Sequence, residues 1–441
     1  MALFSMTYEN EHKVITIFNL RIRIKNSLFS KIDTEFKNNS DFDCKTFDDK
    51  IAKITDNLFK NNKFKRNEIN NNRIAILATV LYDMGGHTEC VKNLVKSLCD
   101  TYEITTFLTQ EVKNTYIKAP EKIQVIEKYS HIDGLNDSNI GDMKSNLTLL
   151  FNKINEYSPK ALFVYTHMND SMATALLYMI KKYTDIKIIY FNHGTHCPAL
   201  GMTFAHTILE EISTTKEITN TKRHLYNCKV VGLQSNKKEE IKYYTEEEKN
   251  AKRQELNIPL DALVTISGGS AYKYFENGKS LHFEMIKRLL EQRTNLYHIA
   301  IINFSEEQKE IVDKIFQNTD VKNRIRFLSF TPHYEILFQS ADLFIDSFPM
   351  SSAMTQIDLM SMKVPTVVKI NADDIALTFH EYMPKGYEFM YDKIEDMKKG
   401  ILTLLDNPQK RIEVANSNYE HWLINFENSA VKQRYIDAIN D

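Results

Sequence analysis

The stretch DLFIDSFPMSSAMTQIDLMSMKVPTVV, residues 342–368, holds two short apolar runs separated by a longer amphipathic segment. The runs at 343–348 and 365–370 have the length and apolar content of strands in a buried sheet. The segment between them opens with small hydroxyl residues, which commonly begin helices. A strand, a helix and a second strand in this order predict a βαβ unit with its two strands parallel.

The same rhythm extends outward in both directions and predicts two series of βα units. In the first series, strands are predicted at residues 74–82, 102–109, 161–167, 187–194 and 228–234. In the second, they are predicted at residues 263–269, 297–304, 325–330, 343–348 and 365–370. A charged stretch at 237–260, closed by Pro259, separates the two series and indicates a domain boundary. The sequence therefore predicts an α/β protein with two tandem Rossmann-like, doubly wound domains.

The size and composition of the chain agree with two packed domains. The chain has 441 residues, against roughly 150 for a typical domain. Its 43% of hydrophobic residues, with only 12 glycines and 9 prolines, excludes a disordered or fibrous protein. Lys and Arg number 56 against 58 Asp and Glu, so no basic field indicates a nucleic-acid partner.

Cysteine usage and hydropathy indicate a cytoplasmic protein. The five cysteines are an odd number and form no C-x-x-C pair, so we expect neither a disulfide framework nor structural zinc. No segment approaches the roughly 20 apolar residues that span a bilayer. Glu9 and Glu11 precede the first apolar run, where a secretory signal would need positive charge. Peripheral attachment to the inner face of the cytoplasmic membrane stays open.

The N-terminal 70 residues are rich in Asn, Lys, Asp and Phe, which is typical of an appendage and linker. Within them, residues 14–25 alternate as one half-buried strand would, with Leu20, Ile22 and Ile24 on one face and Arg21, Arg23 and Lys25 on the other. The basic face is interpreted as the solvated face of an edge strand, with docking to anionic headgroups as the alternative. The expected domains are an appendage at 1–70, Rossmann-like domains at 71–245 and 246–420, and a C-terminal helix at 421–441 that could pack on the first domain.

Ligands of doubly wound sheets bind beyond the carboxyl ends of the strands, so the loops there are the candidate sites. One loop carries Gly85, Gly86 and Thr88, where paired glycines permit close approach to an anion and Thr88 can cap the following helix. A second loop carries two more paired glycines, hydroxyls and a cation that could neutralise a diphosphate, namely Gly268, Gly269, Ser270 and Lys273. Neither loop matches a P-loop or a full G-x-G-x-x-G, and each could be a purely structural turn.

The third loop is the most informative. Ser351 and Ser352 open a helix whose N-terminus could hold phosphate oxygens. Asp358 follows Thr355 by about one turn and could accept hydrogen bonds from both hydroxyls of a ribose. The alternative is an amphipathic helix with a good N-cap.

Histidines follow several strands and are candidate proton acceptors. His167 ends one predicted strand, and His193 and His196 lie in the loop after the next. His87 lies in the first glycine loop, and His380 could reach a diphosphate or merely cap a helix. No Asp, Glu or Cys stands at a fitting spacing to complete a metal site, so no metal is expected.

Residues 342–368 resemble the donor-nucleotide segment of glycosyltransferases with the two-domain GT-B fold, especially the O-GlcNAc-transferase-like group. That segment follows approximately the pattern D-x-x-P-x-x-G-x-T-T-x-x-D-x-L-x-x-G-x-P-x-V. The residues that fit are Asp346, Pro349, Thr355, Asp358, Leu359, Pro365 and Val367. Ser352, Ala353 and Met354 replace the glycine- and threonine-rich turn, and Lys363 replaces a glycine.

The resemblance implies two domains that face each other across a cleft, with the donor nucleotide held by the second. It also implies that Thr331, Pro332 and His333 lie close to the donor base. A retaining subgroup carries two glutamates eight residues apart, but Met350 stands eight residues before Asp358. The resemblance therefore implies an inverting transfer without metal or other cofactor, with a base from the first domain.

The expected function is transfer of a sugar from a nucleotide-diphosphate donor, UDP-linked, to a hydroxyl of a bacterial surface glycan, a lipid-linked acceptor or a glycoprotein. We rank His193 first as the base because Gly194 leaves room beside it, with His167 as its rival. His87 ranks lower, since a helix N-terminus lowers the pKa of an imidazole. The alternatives are a glycerophosphate-type transferase, a nucleotide-sugar epimerase and a non-catalytic glycan- or nucleotide-binding protein.

Overall fold

The computed structural model describes residues 4–9, 12–17, 20–25, 29–82, 86–135, 141–317, 319–330, 334–371 and 380–441. The chain divides into two compact units. Unit 1 comprises Met1–Gly232 and Lys432–Asp441, and unit 2 comprises Leu233–Val431. No helix in the described part of the chain is long and apolar enough to cross a bilayer.

The N-terminal residues form a separate antiparallel sheet of three strands, β1 (Phe4–Glu9), β2 (His12–Ile17) and β3 (Leu20–Lys25). The single strand expected over residues 14–25 is therefore wrong, because β2 and β3 pair with Ile15 opposite Ile22. The sequence pattern indicates this reversal of chain direction between β2 and β3. In β2, Ile15 and Ile17 occupy odd positions, with Val14 as an exception, whereas the apolar residues of β3 occupy even positions from Leu20 onward. The alternation therefore changes phase between the two strands.

Two helices follow, α1 (Ser30–Lys37) and α2 (Lys45–Leu58). Phe36 and Ile51 are buried in the same hydrophobic core as Leu77 and Leu162 of the large sheet. Residues 29–59 are thus part of the body of unit 1 rather than an appendage. Their Asn- and Lys-rich composition obscures an apolar helical stripe that includes Ile51 and Leu58.

Unit 1 is built on a parallel sheet of seven strands in the order β10-β9-β8-β7-β4-β5-β6. The strands are β4 (Asn70–Ala78), β5 (Glu103–Glu111), β6 (His131–Leu135), β7 (Pro159–Tyr165), β8 (Lys187–Phe191), β9 (Thr207–Glu210) and β10 (Cys228–Val230). The helices are α3 (Gly86–Leu98), α4 (Val112–Lys118), α5 (Pro120–Glu127), α6 (Met143–Tyr157), α7 (Ser171–Tyr183) and α8 (Ser213–Lys222). The predicted βα series is confirmed, with β6 and β9 as strands that it lacked.

Unit 2 has a parallel sheet of six strands in the order β13-β12-β11-β14-β15-β16. The strands are β11 (Leu263–Gly268), β12 (Leu296–Ile301), β13 (Ile325–Leu328), β14 (Leu343–Ile345), β15 (Thr366–Lys369) and β16 (Met390–Tyr391). The helices are α9 (Glu246–Glu255), α10 (Leu281–Gln292), α11 (Glu306–Ile315), α12 (Thr319–Lys322), α13 (Glu335–Gln339), α14 (Ala353–Ser361), α15 (Ile394–Asp406) and α16 (Pro408–Asn425). Residues 342–368 form the β14-α14-β15 unit that their pattern predicts.

The last helix, α17 (Asn428–Asn440), ends in residues that belong to unit 1. Tyr435 is buried, its hydroxyl donates to the carbonyl of Gly232 at 3.2 Å, and its ring centroid lies 6.2 Å from that of Phe163. The chain thus passes from unit 1 to unit 2 at residue 233 and returns at residue 432.

Candidate active site

Three histidines meet at the carboxyl ends of the unit 1 strands. His87 lies in the first turn of α3, His167 follows β7 and His193 follows β8. The ring centroid of His87 lies 5.0 Å from that of His193 and 6.0 Å from that of His167. His196 is exposed farther along the loop after β8. Three of the four histidines predicted as candidates in this unit therefore lie together.

Hydrogen bonds to main-chain carbonyls orient two of these rings. His87 Nε2 lies 2.5 Å from the carbonyl oxygen of Tyr165, so this nitrogen carries the proton and donates it. His193 Nδ1 lies 3.4 Å from the carbonyl oxygen of Phe191, a long contact that favours a proton on Nδ1. In that tautomer Nε2 of His193 is the atom with a free lone pair, and it is the candidate proton acceptor.

Burial governs the pKa of these rings. It lowers the pKa of His87 to about 4 and that of His193 to about 3, because a charged imidazole is poorly solvated there. The sequence-based expectation named a helix dipole as the cause of a lowered pKa for His87, but in the structure burial is the largest cause for both rings, and the pKa of His87 is not lower than that of His193. Both imidazoles are therefore neutral at pH 7, and each retains a nitrogen lone pair that can accept a proton.

Gly194 does not open space for a substrate as the sequence reasoning expected. A Cβ built at Gly194 would overlap Cε and Sδ of Met168 and would lie 2.9 Å from its Cγ. The glycine thus permits the Met168 side chain to pack against the loop after β8. Its role in the structure is local packing.

Three buried charged residues that the sequence reasoning missed surround this loop. Glu210, at the end of β9, contacts Asn192, and Arg223, which follows α8, contacts the carbonyl groups of Gly194 and Cys197. Asp48 of α2 accepts hydrogen bonds from the main-chain N–H of Gly201 at 2.8 Å and from Oγ1 of Thr203 at 2.6 Å. Their signal in the sequence is weak, because Glu210 belongs to a four-residue strand and Asp48 to the Asn-rich N-terminal region.

The glycine loop of unit 2 follows β11. Gly269 has a φ of +143°, a conformation that residues with a side chain rarely adopt. A Cβ on Gly268 would lie 3.1 Å from the ring of Phe338, so this glycine also permits close packing. Ser270 is exposed. Lys273 donates from Nζ to the carbonyl oxygen of Ser351 at 3.3 Å, which brings the second and third predicted loops together.

The hydroxyls expected to bind phosphate are instead used within the protein. Ser351 and Ser352, each 1% exposed, both donate from Oγ to the buried carboxylate of Asp346. Gln356 Nε2 donates to the same carboxylate at 2.6 Å. Burial raises the pKa of Asp346, and the charge of Lys273 opposes that rise. Because Ser352 makes no side-chain cap on α14, the first main-chain N–H groups of this helix are the groups suited to an anion.

Thr355 and Asp358 lie three residues apart on α14, hence on one face of the helix, and both are half-buried. This placement is compatible with the predicted contact to a ribose. Gly85, Thr331, Pro332 and His333 lie outside the described residues. His380 begins a short 3₁₀ helix, His380–Tyr382, and is half-buried.

The first glycine loop differs from its prediction at Thr88. This residue is buried in α3, and its hydroxyl oxygen accepts the main-chain N–H of Tyr82 at 2.7 Å instead of capping the helix. Gly86 is the first residue of α3. Within the described residues, no group of three His, Cys, Asp or Glu side chains is arranged to hold a metal ion.

No protein-family model matches the chain, and no curated protein matches it in sequence. Solved structures do match its fold. A glycosyltransferase from Rickettsia africae has a TM-score of 0.66 at 12% identity, over 84% of this chain and 98% of that one. HepE from Anabaena, in complex with UDP-glucose, has a TM-score of 0.65 at 13% identity, over 83% and 99%.

Two further structures extend this similarity. An O-GlcNAc transferase from Thermobaculum terrenum has a TM-score of 0.58 at 10% identity, over 90% of this chain and 74% of that one. A putative UDP-N-acetylglucosamine 2-epimerase from Listeria monocytogenes has a TM-score of 0.55 at 15% identity, over 84% and 96%. With its two parallel sheets and interleaved helices, the chain resembles the GT-B glycosyltransferases in fold.

Proposed function

We propose that this protein is a glycosyltransferase that transfers a sugar from a nucleoside diphosphate, UDP, to an acceptor hydroxyl. The observation that carries the proposal is the likeness of fold to a glycosyltransferase and to a protein complexed with UDP-glucose, over 84% and 83% of this chain and nearly the whole length of those two chains. The β14-α14 loop adds support, because Asp358 and the uncapped start of α14 offer a carboxylate for ribose and N–H donors for diphosphate.

We propose a single inverting displacement at the anomeric carbon. The acceptor oxygen attacks this carbon, the bond between it and the diphosphate oxygen breaks, and the acceptor proton passes to Nε2 of His193. The nucleoside diphosphate leaves with the bonding electrons. Lys273 and the N-terminus of α14 would stabilise the charge that develops on it.

The low pKa of His193 restricts how this base can act. An imidazole with a pKa of about 3 stays unprotonated at pH 7 but is a weak base. An anionic substrate would raise that pKa, because a nearby negative charge favours the protonated ring. We therefore keep His193 as the proposed base and His167 as its rival.

We propose a bacterial surface glycan, a lipid-linked acceptor or a glycoprotein as the acceptor class, and a hexosyl or N-acetylhexosaminyl group as the transferred sugar. Catalysis would need no metal and no cofactor beyond the nucleotide-sugar co-substrate. The protein would act in the cytoplasm, with peripheral contact to an anionic membrane as an additional proposal.

A donor panel tests the proposed activity. Purified protein is incubated with UDP-glucose, UDP-N-acetylglucosamine, GDP- and CDP-linked donors, and free nucleoside diphosphate and sugar are measured. A glycosyltransferase without its acceptor should slowly release UDP together with free sugar. Conversion of one UDP-sugar into another would support the epimerase, release of CMP from CDP-glycerol the glycerophosphate transferase, and binding without turnover a non-catalytic protein.

A further inference from the structure

The main chain before His193 is fixed by a buried acid from another strand. Asn192 is fully buried, and its Nδ2 lies 3.2 and 3.1 Å from the two carboxylate oxygens of Glu210. The same amide lies 3.2 Å from Oγ1 of Thr219 on α8. The main-chain N–H of Asn192 donates to the carbonyl of Leu209 at 3.0 Å. Backbone and side chain of Asn192 are thus both tied to β9, next to the histidine.

The main chain after His193 is held by a buried arginine. Nη2 of Arg223 donates to the carbonyl oxygens of Gly194 at 3.1 Å and Cys197 at 2.9 Å. The side chain is 3% exposed, and its guanidinium carbon lies 4.9 Å from the ring centroid of Phe42. One planar group therefore sets the spacing of two carbonyls in the loop that carries His193.

Burial of Arg223 lowers the stability of the fold. Nε and Nη1 of Arg223 are buried without a hydrogen-bond partner among the described residues. Burial lowers the pKa of the Arg223 guanidinium, and the negative charge of Glu210 offsets this effect only in part. A buried cation with unpaired donors destabilises a protein, and an apolar side chain of similar volume often replaces such a group at no cost. A role confined to stability therefore does not account for an arginine here, whereas a requirement for the geometry of the loop does.

We propose that Glu210 and Arg223 are positioning residues that hold the imidazole of His193 in the orientation that proton transfer requires. Neither touches the reacting atoms. Glu210 acts through Asn192 on one side of His193, and Arg223 acts through the carbonyls of Gly194 and Cys197 on the other. This inference rests on the proposed function for its catalytic meaning, while the positioning itself can be measured without turnover.

Arg223→Met tests the contacts of Arg223 to the loop that carries His193. It removes the guanidinium, and with it both hydrogen bonds from Nη2, and leaves a shorter, unbranched apolar side chain. The loop therefore loses these contacts without gaining an unpaired buried charge. We expect kcat to fall by about 10²-fold, since a displacement of about 1 Å at a reacting group costs this much. The affinity for UDP and the melting temperature should stay near those of the unaltered protein. Arg223→Lys keeps a cation with a single head group and should recover part of kcat.

Glu210→Gln tests the contact of Glu210 to Asn192. It keeps the shape of the side chain but turns one acceptor toward Asn192 into a donor, so we expect a smaller loss of kcat with unchanged UDP affinity. Ring signals of histidine in isotope-labelled protein supply a second readout, with the His193 signal assigned from its loss in His193→Ala. This signal should move in Arg223→Met and in Glu210→Gln, while those of His282 and His298 in unit 2 stay fixed.

Arg253→Met is the matched control. Arg253 also donates to main-chain carbonyls, those of Ser340 at 2.8 Å and Ala262 at 3.2 Å, but lies in unit 2, so the His193 signal should not move. An unmoved His193 signal in folded Arg223 and Glu210 variants, or kcat within about twofold of the unaltered protein in Arg223→Met, overturns the positioning role. Loss of folding in both Arg223→Met and Arg223→Lys overturns it in favour of a structural role. A moved signal in a protein that releases no UDP from any donor supports the positioning and overturns the proposed function instead.

Discussion

Asp358 carries the proposed contact to the donor ribose. Asp358→Ala should weaken UDP binding by about 1.5 to 3 kcal/mol, the usual value of charge-assisted hydrogen bonds. The side chain is half-buried on the surface of α14, so the variant should still fold. Titration calorimetry with UDP measures the loss. Asp396→Ala, an exposed carboxylate of the same unit, is the control, and unchanged affinity in folded Asp358→Ala would exclude the ribose contact.

His193 and His167 compete for the role of general base. A general base contributes about 10² to 10⁴-fold, so His193→Ala should lower kcat by that factor and leave UDP affinity nearly intact. His196→Ala is the control, because this exposed histidine lies in the same loop. Steady-state transfer rates decide between the rings. A full loss of turnover in His167→Ala beside normal turnover in His193→Ala would reverse the ranking. Normal turnover in both variants would exclude these two histidines as the general base.

At the scale of single residues, the sequence predicts which residues lie at strand ends but not which atoms their side chains contact. His87, His167 and His193 come together because the carboxyl ends of parallel strands share one edge of the sheet. Ser351 and Ser352 stand where an anion site needs hydroxyls, yet both donate to Asp346. That assignment depends on the burial of Asp346, which only the packed structure determines.

The side chain of Met168 packs against Gly194 in the loop after β8. Gly194→Ala should lower stability by about 1 to 3 kcal/mol, because its Cβ overlaps the end of the Met168 side chain. Met168→Ala removes the obstructing atoms, so the double variant should lose less stability than the two single variants summed. Urea unfolding measures all three. An additive double variant would show that Gly194 and Met168 do not interact.

Helix α2 is tied to the segment that follows the same loop by Asp48. This buried carboxylate accepts hydrogen bonds from Gly201 and Thr203, so Asp48→Ala leaves these donors unpaired and should cost about 2 to 4 kcal/mol. Asp49→Ala, whose exposed side chain pairs with Lys45, is the matched control. A melting temperature equal to that of the control would mean that the hydrogen bonds of Asp48 do not stabilise unit 1.

At the scale of elements, long apolar runs are predictable and short ones are not. The runs at 74–82 and 161–167 overlap β4 and β7, which are buried between helices and therefore almost wholly apolar. β6 and β9 have five and four residues, with little periodicity to detect. Glu210 went unnoticed for this reason, since a residue at the end of an unpredicted strand has no assigned place in the site.

At the scale of the whole molecule, both units bury histidines whose neutral form the fold favours. Burial lowers the pKa of His87 and His193 in unit 1, and that of His282 and His298 in unit 2. The pKa values of these rings in the folded protein lie below the value of about 6.5 for an imidazole in the unfolded chain. In mild acid the unfolded chain therefore binds more protons than the folded one. Stability should therefore fall as the pH drops below about 6.5. Glu210, Asp48 and Asp346 act in the opposite direction, because burial raises the pKa of each carboxyl, to about 7 for Glu210 and about 6 for Asp48.

The four histidines should outweigh these three carboxyls, so the melting temperature should fall as the pH drops from 7.5 to 5. For His298, whose pKa is lowered by burial to about 3, keeping the ring neutral at pH 5 costs about 2 kcal/mol relative to pH 6.5. His298→Phe removes one such ring, whose Nε2 has no hydrogen-bond partner in the described part of unit 2, and should make the melting temperature less sensitive to acid. Calorimetric scans of both proteins across this range measure the difference. A melting temperature that rises on acidification would show that the carboxyls dominate, and identical pH dependence in His298→Phe would show that this ring is protonated without unfolding.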